Sequence, residues 1–262
     1  MICAGVDVGS ITAKAAVYDS EPGRVLGAAW QLTGWSPREA GEAALTAAMQ
    51  SAGVRREDLV RVVGTGYGRV ALPFADETVT EISCHARGAH FLVPGTRTVL
   101  DIGGQDCKAI AVDEEGYPQD FALNDRCAAG TGRFLQVMAE ALGVELADLG
   151  QLALSSQSPA SLSSVCTVFA ESEVVGLIAA GVPRADIAAG LCAAVASRVA
   201  ALGVQVGMRP LVLLTGGVAL NDGVFEALQT ALPVELKRSE QPQMVGAIGA
   251  AILACERADI GG

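Results

Sequence analysis

Two segments of this 262-residue chain repeat one pattern, VDVGSITAKAAVYD from Val6 and LDIGGQDCKAIAVD from Leu100. Each copy reads as an apolar strand, an aspartate, a glycine turn and a second strand. Repeats at this long spacing predict two related halves rather than a solenoid, whose periods are shorter. Four pairs of identical residues lie 94 positions apart: Asp7 and Asp101, Gly9 and Gly103, Lys14 and Lys108, Asp19 and Asp113.

The rest of the chain alternates short apolar runs with helical patterns, which is typical of the α/β class. Strands are expected in LVRVVGTGYG and LVLLTGG, and a final helix in VGAIGAAILACER. Further helices are predicted over 37–51, 128–143, 167–181 and 184–206. We expect a first half over 1–95, with the C-terminal helix near 244–257 packing back on it, and a second half over 96–243.

The repeated turn has a chemical interpretation. An aspartate at the end of a buried strand is costly unless something compensates its charge, and a divalent cation would do so. The glycines beside it let backbone N–H groups approach an anion. Taken alone, each turn is more typical of an ordinary hairpin, but the duplication with matched lysines favours a Mg²⁺–phosphate clamp. Lys14 is then expected to pair with a phosphate, whereas Lys108 is expected to be solvated.

The composition limits which binding partners and which cellular compartment fit this chain. The formal net charge of −11 disfavours nucleic acid and anionic membranes. The N-terminal MICAGVDVGS lacks the features of a signal peptide, and no window holds 18 uninterrupted apolar residues. We therefore expect a cytoplasmic protein without a membrane segment. In a reducing compartment the seven cysteines are core residues, nucleophiles or metal ligands rather than a disulfide framework.

Two cysteines are expected where helices begin. Cys127 precedes AAGTGRFL and Cys166 precedes TVFAESEV, and a helix N-terminus stabilises a thiolate. Two thiols are too few for a four-thiolate iron–sulfur cluster, but a two-fold dimer would supply four. The alternative is two unrelated packing residues, and the residues alone leave both possibilities open.

The other cysteines are less informative. Cys84 and His85 are neighbours, which suggests a nucleophile or a metal site that His90 would join, although adjacent helical residues face different directions. Burial in the core is the interpretation for the remaining thiols, because free cysteine is usually buried: Cys3, Cys107, Cys192 and Cys255.

The constellation DVGSITAK, DIGGQDCK and LLTGGVALN resembles the loops of the actin, sugar-kinase and heat-shock-70 ATPase superfamily. The resemblance implies a duplicated actin/ribonuclease-H-like α/β fold, with two similar halves around a nucleotide cleft. It implies that Asp7 and Asp101 hold Mg²⁺ and its waters, and that Gln105 also positions the attacking water. Phosphate contacts are implied for Gly9, Ser10, Thr12, Lys14, Gly103, Gly104 and Gln105, and an adenosine border for Gly216, Gly217 and Gln243.

Three further motifs, TEISCHARGA, NDRCAAGTGRFL and CTVFAESEVVGL, resemble signatures of the 2-hydroxyacyl-CoA dehydratase activators. That resemblance implies a homodimer with one [4Fe-4S] cluster, held by Cys127 and Cys166 of each chain. It also implies ATP hydrolysis, ATP and ADP as ligands, an electron donor such as ferredoxin or flavodoxin, and a transient complex with a dehydratase component.

Three other functions remain compatible with these motifs. The chain could be the ATP-binding subunit of a benzoyl-CoA-type reductase, which a permanent hetero-oligomer would indicate. A small-molecule kinase would need a sugar pocket with a base aspartate and no cluster. A regulatory nucleotide-binding module would show no steady hydrolysis.

Overall fold

The computed structural model describes residues 1–162 and 166–260. The chain divides into two compact units, each with its own sheet. The first unit contains Met1–Thr96, Val112–Gln119 and Gln243–Gly262, and the second contains Arg97–Ala111 and Asp120–Pro242. The strands are β1 (Ile2–Val8), β2 (Thr12–Asp19), β3 (Arg24–Leu32), β4 (Arg61–Thr65), β5 (Glu77–Thr78), β6 (Thr98–Ile102), β7 (Cys107–Val112), β8 (Pro118–Asn124), β9 (Val212–Thr215) and β10 (Leu236–Arg238).

Eight α-helices cover these sheets in the described part of the chain. Several begin at a polar cap: the Ser36 side chain accepts from the Glu39 amide at the start of α1, and Asn221 caps α7 in the same way. The helices are α1 (Pro37–Ala52), α2 (Glu81–Leu92), α3 (Gly132–Leu142), α4 (Leu149–Leu154), α5 (Thr167–Ala179), α6 (Arg184–Gln205), α7 (Asp222–Ala231) and α8 (Val245–Ile260).

The duplication that the repeat predicts extends to the whole of each sheet. The first sheet has the order β3-β2-β1-β4-β5, and the second has the corresponding order β8-β7-β6-β9-β10. In both, the central strand pairs antiparallel with the next strand and parallel with the strand on its other side. Asp7 pairs with Lys14 in β1–β2, and Asp101 pairs with Lys108 in β6–β7. The two halves are therefore the same mixed α/β sheet built twice.

Glycines set how closely helices approach the first sheet. A Cβ added to Gly27 in β3 would overlap the backbone of α1 at Ala48 and Ala52. A Cβ added to Gly5 in β1 would overlap the backbone of α8 at Ala247 and Ala251. Since these strands pack against helix backbone, larger side chains would push the helices away.

Helix α6 is long and apolar enough to cross a membrane by length and composition, and 56% of its apolar window is buried. Its side chains Ile187, Leu191, Val195 and Val199 lie in the core of the second unit, with strand residues such as Leu100. Its apolar character therefore serves packing within that unit.

One helix begins later than the sequence indicates. The predicted helix over 128–143 starts at Gly132, because the chain first makes a turn in which the Thr131 amide donates to the Ala128 carbonyl. Gly130 in this turn has φ +86, a conformation that glycine adopts without strain. The expectation that Cys127 lies at the helix start is therefore wrong, whereas Cys166 is the N-cap residue of α5, as predicted.

Candidate functional site

The hairpins between β1 and β2 and between β6 and β7 are the two loops expected to contact phosphate, and we call them the first and second phosphate loops. Asp7 is 5% exposed, and its Oδ2 lies 3.2 Å from Lys14 Nζ. The Gly9 amide donates to the Thr12 carbonyl at 3.0 Å, which closes the turn. A Cβ on Gly9 would lie 3.2 Å from Lys14 Nζ, so the ammonium group sits against the turn. Ser10 is partly exposed at its tip.

The second loop, between β6 and β7, repeats this geometry with more charge. The Gly103 amide donates to the Asp106 carbonyl at 2.9 Å. Lys108 Nζ lies 3.0 Å from Asp101 Oδ2 and 2.8 Å from Asp106 Oδ2. Lys108 is 1% exposed, so the expectation that it is solvated is wrong: two carboxylates compensate its burial. Gly104 is partly exposed, and Gln105 is exposed.

The adenosine loop expected after β9 lies beside the same aspartate. Thr215 Oγ1 donates to Asp101 Oδ1 at 2.7 Å. Gly216 has φ +87, and a Cβ there would overlap the Ile102 carbonyl and lie 3.0 Å from Asp101 Oδ1. A Cβ on Gly217 would meet nothing within 4 Å, so that residue borders open space.

Gln243 lies in a short 3₁₀ turn, Pro242–Met244. Its Oε1 is buried, and among the described residues no hydrogen-bond donor reaches it. A buried amide oxygen of this kind needs a donor. This geometry suits the ligand contact that the resemblance implies for Gln243.

A counterpart of the Thr215–Gly216 pair, which sequence reasoning missed, lies in the first unit. Thr65 pairs with Asp7 across β1–β4, as Thr215 pairs with Asp101 across β6–β9. Gly66 also has φ +87, and a Cβ there would overlap Asp7 Oδ1. The shared signal is a Thr-Gly pair after an apolar strand, in GTGYG and in LTGG.

His85 also borders Asp7. A Cβ added to Gly246 would lie 2.9 Å from Asp7 Oδ2 and 2.9 Å from His85 Nε2. Both groups therefore contact α8 at this glycine, where no side chain separates them from the helix. The neighbouring Cys84 belongs instead to the apolar cluster under α8. Burial raises the pKa of the Cys84 thiol to about 12, which disfavours a nucleophilic thiolate at neutral pH.

His90 packs against Gly116, where an added Cβ would lie 2.7 Å from His90 Cβ and Cγ. Within residues 1–162 and 166–260, no three His, Cys, Asp or Glu side chains come close enough to hold a metal ion. The described residues of a single chain therefore provide no metal site around Cys84, His85 and His90.

Cys127 and Cys166 differ from the other cysteines in their exposure. Cys166 is exposed and Cys127 is partly exposed, whereas the remaining five are buried. Both accessible thiols belong to the second unit. Accessible thiols can ligate a metal or react with partners, and buried ones pack.

The segment that carries Cys127 is attached to the second phosphate loop. At the start of α3, the Gly132 amide donates to the Gly103 carbonyl at 2.9 Å, and the Arg133 amide donates to the Gly104 carbonyl at 2.8 Å. These bonds occupy helix N–H groups that otherwise lack partners. A displacement of this loop therefore acts directly on α3.

Asn124 makes a second connection between Cys127 and the loop region. Its amide nitrogen lies 3.0 Å from the Cys127 carbonyl, 3.3 Å from the Ala129 carbonyl and 3.6 Å from Cys107 Sγ. Cys107 is the first residue of β7 and follows the loop directly. One side chain thus fixes the Cys127 turn against the base of the phosphate loop.

Known proteins are similar to this chain in both sequence and architecture. The (R)-2-hydroxyglutaryl-CoA dehydratase activating ATPase of Acidaminococcus fermentans is 44% identical, over 97% of this chain and 97% of its own length. A benzoyl-CoA reductase subunit of Thauera aromatica is 32% identical, over 96% and 92%. The resemblance to dehydratase activators that the motifs indicated is confirmed.

Solved structures agree with the relatives. Component A of the A. fermentans (R)-2-hydroxyglutaryl-CoA dehydratase matches with a TM-score of 0.95 at 42% identity, over 99% of both chains. The activator of 2-hydroxyisocaproyl-CoA dehydratase from Clostridium difficile with bound ADPNP matches at 0.92 and 39%, over 100% of this chain and 97% of that one. A ROK hexokinase from Thermus thermophilus, at 0.57 and 19%, shares the fold alone.

These matches confirm the duplicated ATPase fold, and the family model covers nearly all of the sequence. The model of the BadF/BadG/BcrA/BcrD ATPase family matches residues 4–254. Both aspartate loops and both accessible cysteines lie inside that range. The chain therefore belongs to the BadF/BadG/BcrA/BcrD ATPase family.

Proposed function

We propose that this protein is an ATP-hydrolysing activator that delivers one low-potential electron to a 2-hydroxyacyl-CoA dehydratase. The observation that carries the proposal is the attachment of α3 to the second phosphate loop through Gly132 and Arg133, because it joins a nucleotide loop to a segment with an accessible thiol. The names of relatives at 40–44% identity over nearly the full chain support the same activity.

In this proposal the two aspartate loops contact the phosphates of ATP and ADP. Ser10, Thr12 and Lys14 act in the first loop, and Gly103, Gly104 and Gln105 in the second, where exposed Gln105 orients the attacking water. Gly216, Gly217 and Gln243 border the adenosine. The ADPNP bound to the C. difficile activator supports nucleotide binding.

The residues present fit Mg²⁺. Asp7 and Asp101 supply carboxylate oxygens, the ligand type that Mg²⁺ prefers, and Mg²⁺ usually keeps several of its waters. Both oxygens of Asp101 already accept hydrogen bonds, from Thr215 and Lys108, which favours contact through those waters. When bound, Mg²⁺ would neutralise phosphate charge.

Substitution of Gly246 by alanine tests the role of Asp7. The new Cβ at 2.9 Å from Asp7 Oδ2 and His85 Nε2 must displace one of them, so we expect kcat for ATP hydrolysis to fall about tenfold. Helix propensity alone would favour alanine by about 1 kcal/mol, so the melting temperature should hold. The control is Gly176→Ala in α5, whose Cβ would meet nothing within 4 Å. Equal kcat values for both variants would contradict the assigned role.

The thiols fit an iron–sulfur cluster shared by two chains. A [4Fe-4S] cluster takes four thiolates and supplies one-electron chemistry when bound. One chain offers two accessible thiols, Cys127 and Cys166, so two copies complete the set. The N-terminus of α5 stabilises negative charge at Cys166. We therefore propose one cluster per homodimer.

Helix α5, which begins beside Cys166, presents apolar side chains to solvent. Val168 and Phe169 are 68% and 67% exposed, and Val175 and Ile178 are exposed as well. An apolar helix face next to a proposed bridging ligand suits burial against a second copy of the chain.

Phe169→Asp tests this interface. Burying an unpaired carboxylate at a subunit interface is costly, so we expect the dimer dissociation constant to rise at least about tenfold. Analytical ultracentrifugation measures it, with Val204→Asp on α6 as the matched exposed control. An unaltered dimer in the Phe169→Asp variant would exclude α5 from the interface.

Asn124→Ala tests the coupling between loop and thiol. The loss of its two carbonyl contacts costs about 1 kcal/mol each and frees the Cys127 turn. We expect dehydratase activation to fall at least about tenfold while ATP hydrolysis stays within about a factor of two. Asn221→Ala, which removes the α7 cap and costs about 1 kcal/mol, is the control. Parallel losses of both activities in the Asn124 variant would mean that Asn124 has only a structural role.

The proposal also names a cytoplasmic location, a small electron donor such as ferredoxin or flavodoxin, and a transient dehydratase partner. Higher identity to activators than to the benzoyl-CoA reductase chain of T. aromatica favours the activator over the reductase component. Copurification with a permanent hetero-oligomer would reverse that choice.

Anaerobic purification tests the whole proposal. We expect about four irons per dimer with the EPR signal of a reduced [4Fe-4S] cluster, steady ATP hydrolysis, and ATP-dependent activation of a dehydratase. Brief exposure to air should bleach the protein and abolish activation. Protein without iron that hydrolyses ATP only when a sugar is supplied would identify a kinase instead.

A further inference from the structure

Two cysteines at opposite ends of the sequence lie together in the first unit. Helix α8 crosses β1 in close contact: Gly246 faces Asp7, and Gly5 lies against Ala247 and Ala251. Cys3 lies two residues before Gly5 in β1, a distance of about 6.6 Å along the strand. Cys255 lies four residues after Ala251 in α8, a distance of about 6 Å along the helix. The same register therefore brings Cys3 to Cys255, and both belong to one buried cluster.

The two thiols interact directly. The hydrogen bond between them is the largest influence on both pKa values, raising the pKa of Cys3 and lowering that of Cys255. A hydrogen bond from Ser20 also lowers the pKa of Cys255. Burial opposes this lowering of the Cys255 pKa, and the protonated Cys255 thiol donates to the Met1 carbonyl at 3.5 Å. Cys255 is thus the member of the pair that more readily carries the negative charge.

A cavity gives small molecules access to Cys255. It has a volume of about 190 Å³ and is lined by Cys255 with Tyr18, Ser20, Arg87, His90, Phe91, Ile252, Glu256 and Asp259. Cys3 is 0% exposed and does not line this cavity. This volume admits a molecule of the size of hydrogen peroxide. The other buried thiols do not line it.

We propose that Cys3 and Cys255 form a redox-active dithiol site, which hydrogen peroxide entering this cavity oxidises to an intramolecular disulfide. The Cys255 thiolate attacks one peroxide oxygen, so that an S–O bond forms, the O–O bond breaks and the released hydroxide is protonated to water. Cys3 loses its proton and attacks the Cys255 sulfur, expelling the second oxygen as water. Two thiols and one peroxide thus give one disulfide and two waters.

Peptide mapping of the whole protein tests the site. Trypsin releases Cys3 in residues 1–14 and Cys255 in residues 239–257, and neither peptide contains another cysteine. After peroxide treatment and blocking of free thiols, we expect a linked peptide two hydrogen atoms lighter than the sum of the two. It should be at least about tenfold more abundant than without peroxide and should disappear on reduction.

Two variants separate the roles of the thiols. In Cys3→Ser, Cys255 should stop at the sulfenic acid, which dimedone traps, whereas in Cys255→Ser no dimedone adduct should form on Cys3. Oxidation of glutathione added to the same sample confirms that the peroxide was effective. Unmodified Cys3 and Cys255 under those conditions would overturn the proposal, and this result from the unsubstituted protein is decisive even if a variant fails to fold.

Discussion

Replacement of Lys108 by methionine should lower the free energy of unfolding by about 3–5 kcal/mol, because it leaves a buried carboxylate without its cation. Asp101 is 3% exposed, and Lys108 bonds to it and to Asp106. Methionine fills a similar volume but brings no charge. Urea denaturation monitored by circular dichroism measures the loss, and the denaturant dependence should be unchanged.

The internal repeat provides the control. Lys14 occupies the corresponding position in the first unit, but its side chain is 13% exposed and pairs with a single carboxylate at 3.2 Å. Because water partly solvates this pair, Lys14→Met should cost about 1–2 kcal/mol. Equal losses of unfolding free energy in Lys108→Met and Lys14→Met would show that the deeper burial of Lys108 does not strengthen its ion pair.

Replacement of Cys166 by serine should abolish dehydratase activation by about 100-fold or more, since a four-thiolate cluster would lose two of its ligands per dimer. Cys127→Ser should have the same effect. Hydrolysis of ATP should stay within about threefold of the unsubstituted rate, because the phosphate loops lie on other strands. Iron content and the EPR spectrum of anaerobic protein provide the measurement.

The buried thiol Cys192, which lies in the core at 1% exposure, is the matched control. Cys192→Ala should keep the full iron content and lose only stability, through a small cavity. A full cluster spectrum in the Cys166→Ser protein would contradict the ligand assignment. A full cluster spectrum in the Cys127→Ser protein would mean that other thiols, and not Cys127, hold the cluster.

The sequence predicted the features that depend on local pattern. Matched residues 94 positions apart predicted two similar hairpins, and the sheets have corresponding strand orders around them. The Thr65–Gly66 pair escaped notice because Thr65 follows Asp7 by 58 residues, whereas Thr215 follows Asp101 by 114. A search for residue pairs at one fixed spacing does not detect corresponding elements that intervening helices of different length have moved apart along the chain.

Tertiary contacts decided the remaining differences. Lysine is usually solvated, and Lys108 is buried because Asp101 and, from the far side of a turn, Asp106 both pair with it. Strand β3 was not recognised because Gly27 weakens its pattern, and that glycine is explained by α1 lying against it. The helix after Cys127 starts late because its first amides bond to the second phosphate loop.

The packing of α8 against β1 has a consequence for biosynthesis. The first unit takes its residues from Met1–Thr96 and again from Gln243 onward, whereas most of the second unit is one continuous segment, Asp120–Pro242. A ribosome that has made β1 to α2 must translate that entire segment before α8 emerges. Until then, the apolar surface that α8 covers, including Cys3, Val63 and Cys84, stays open to chaperones. The unit encoded first is thus the one completed last.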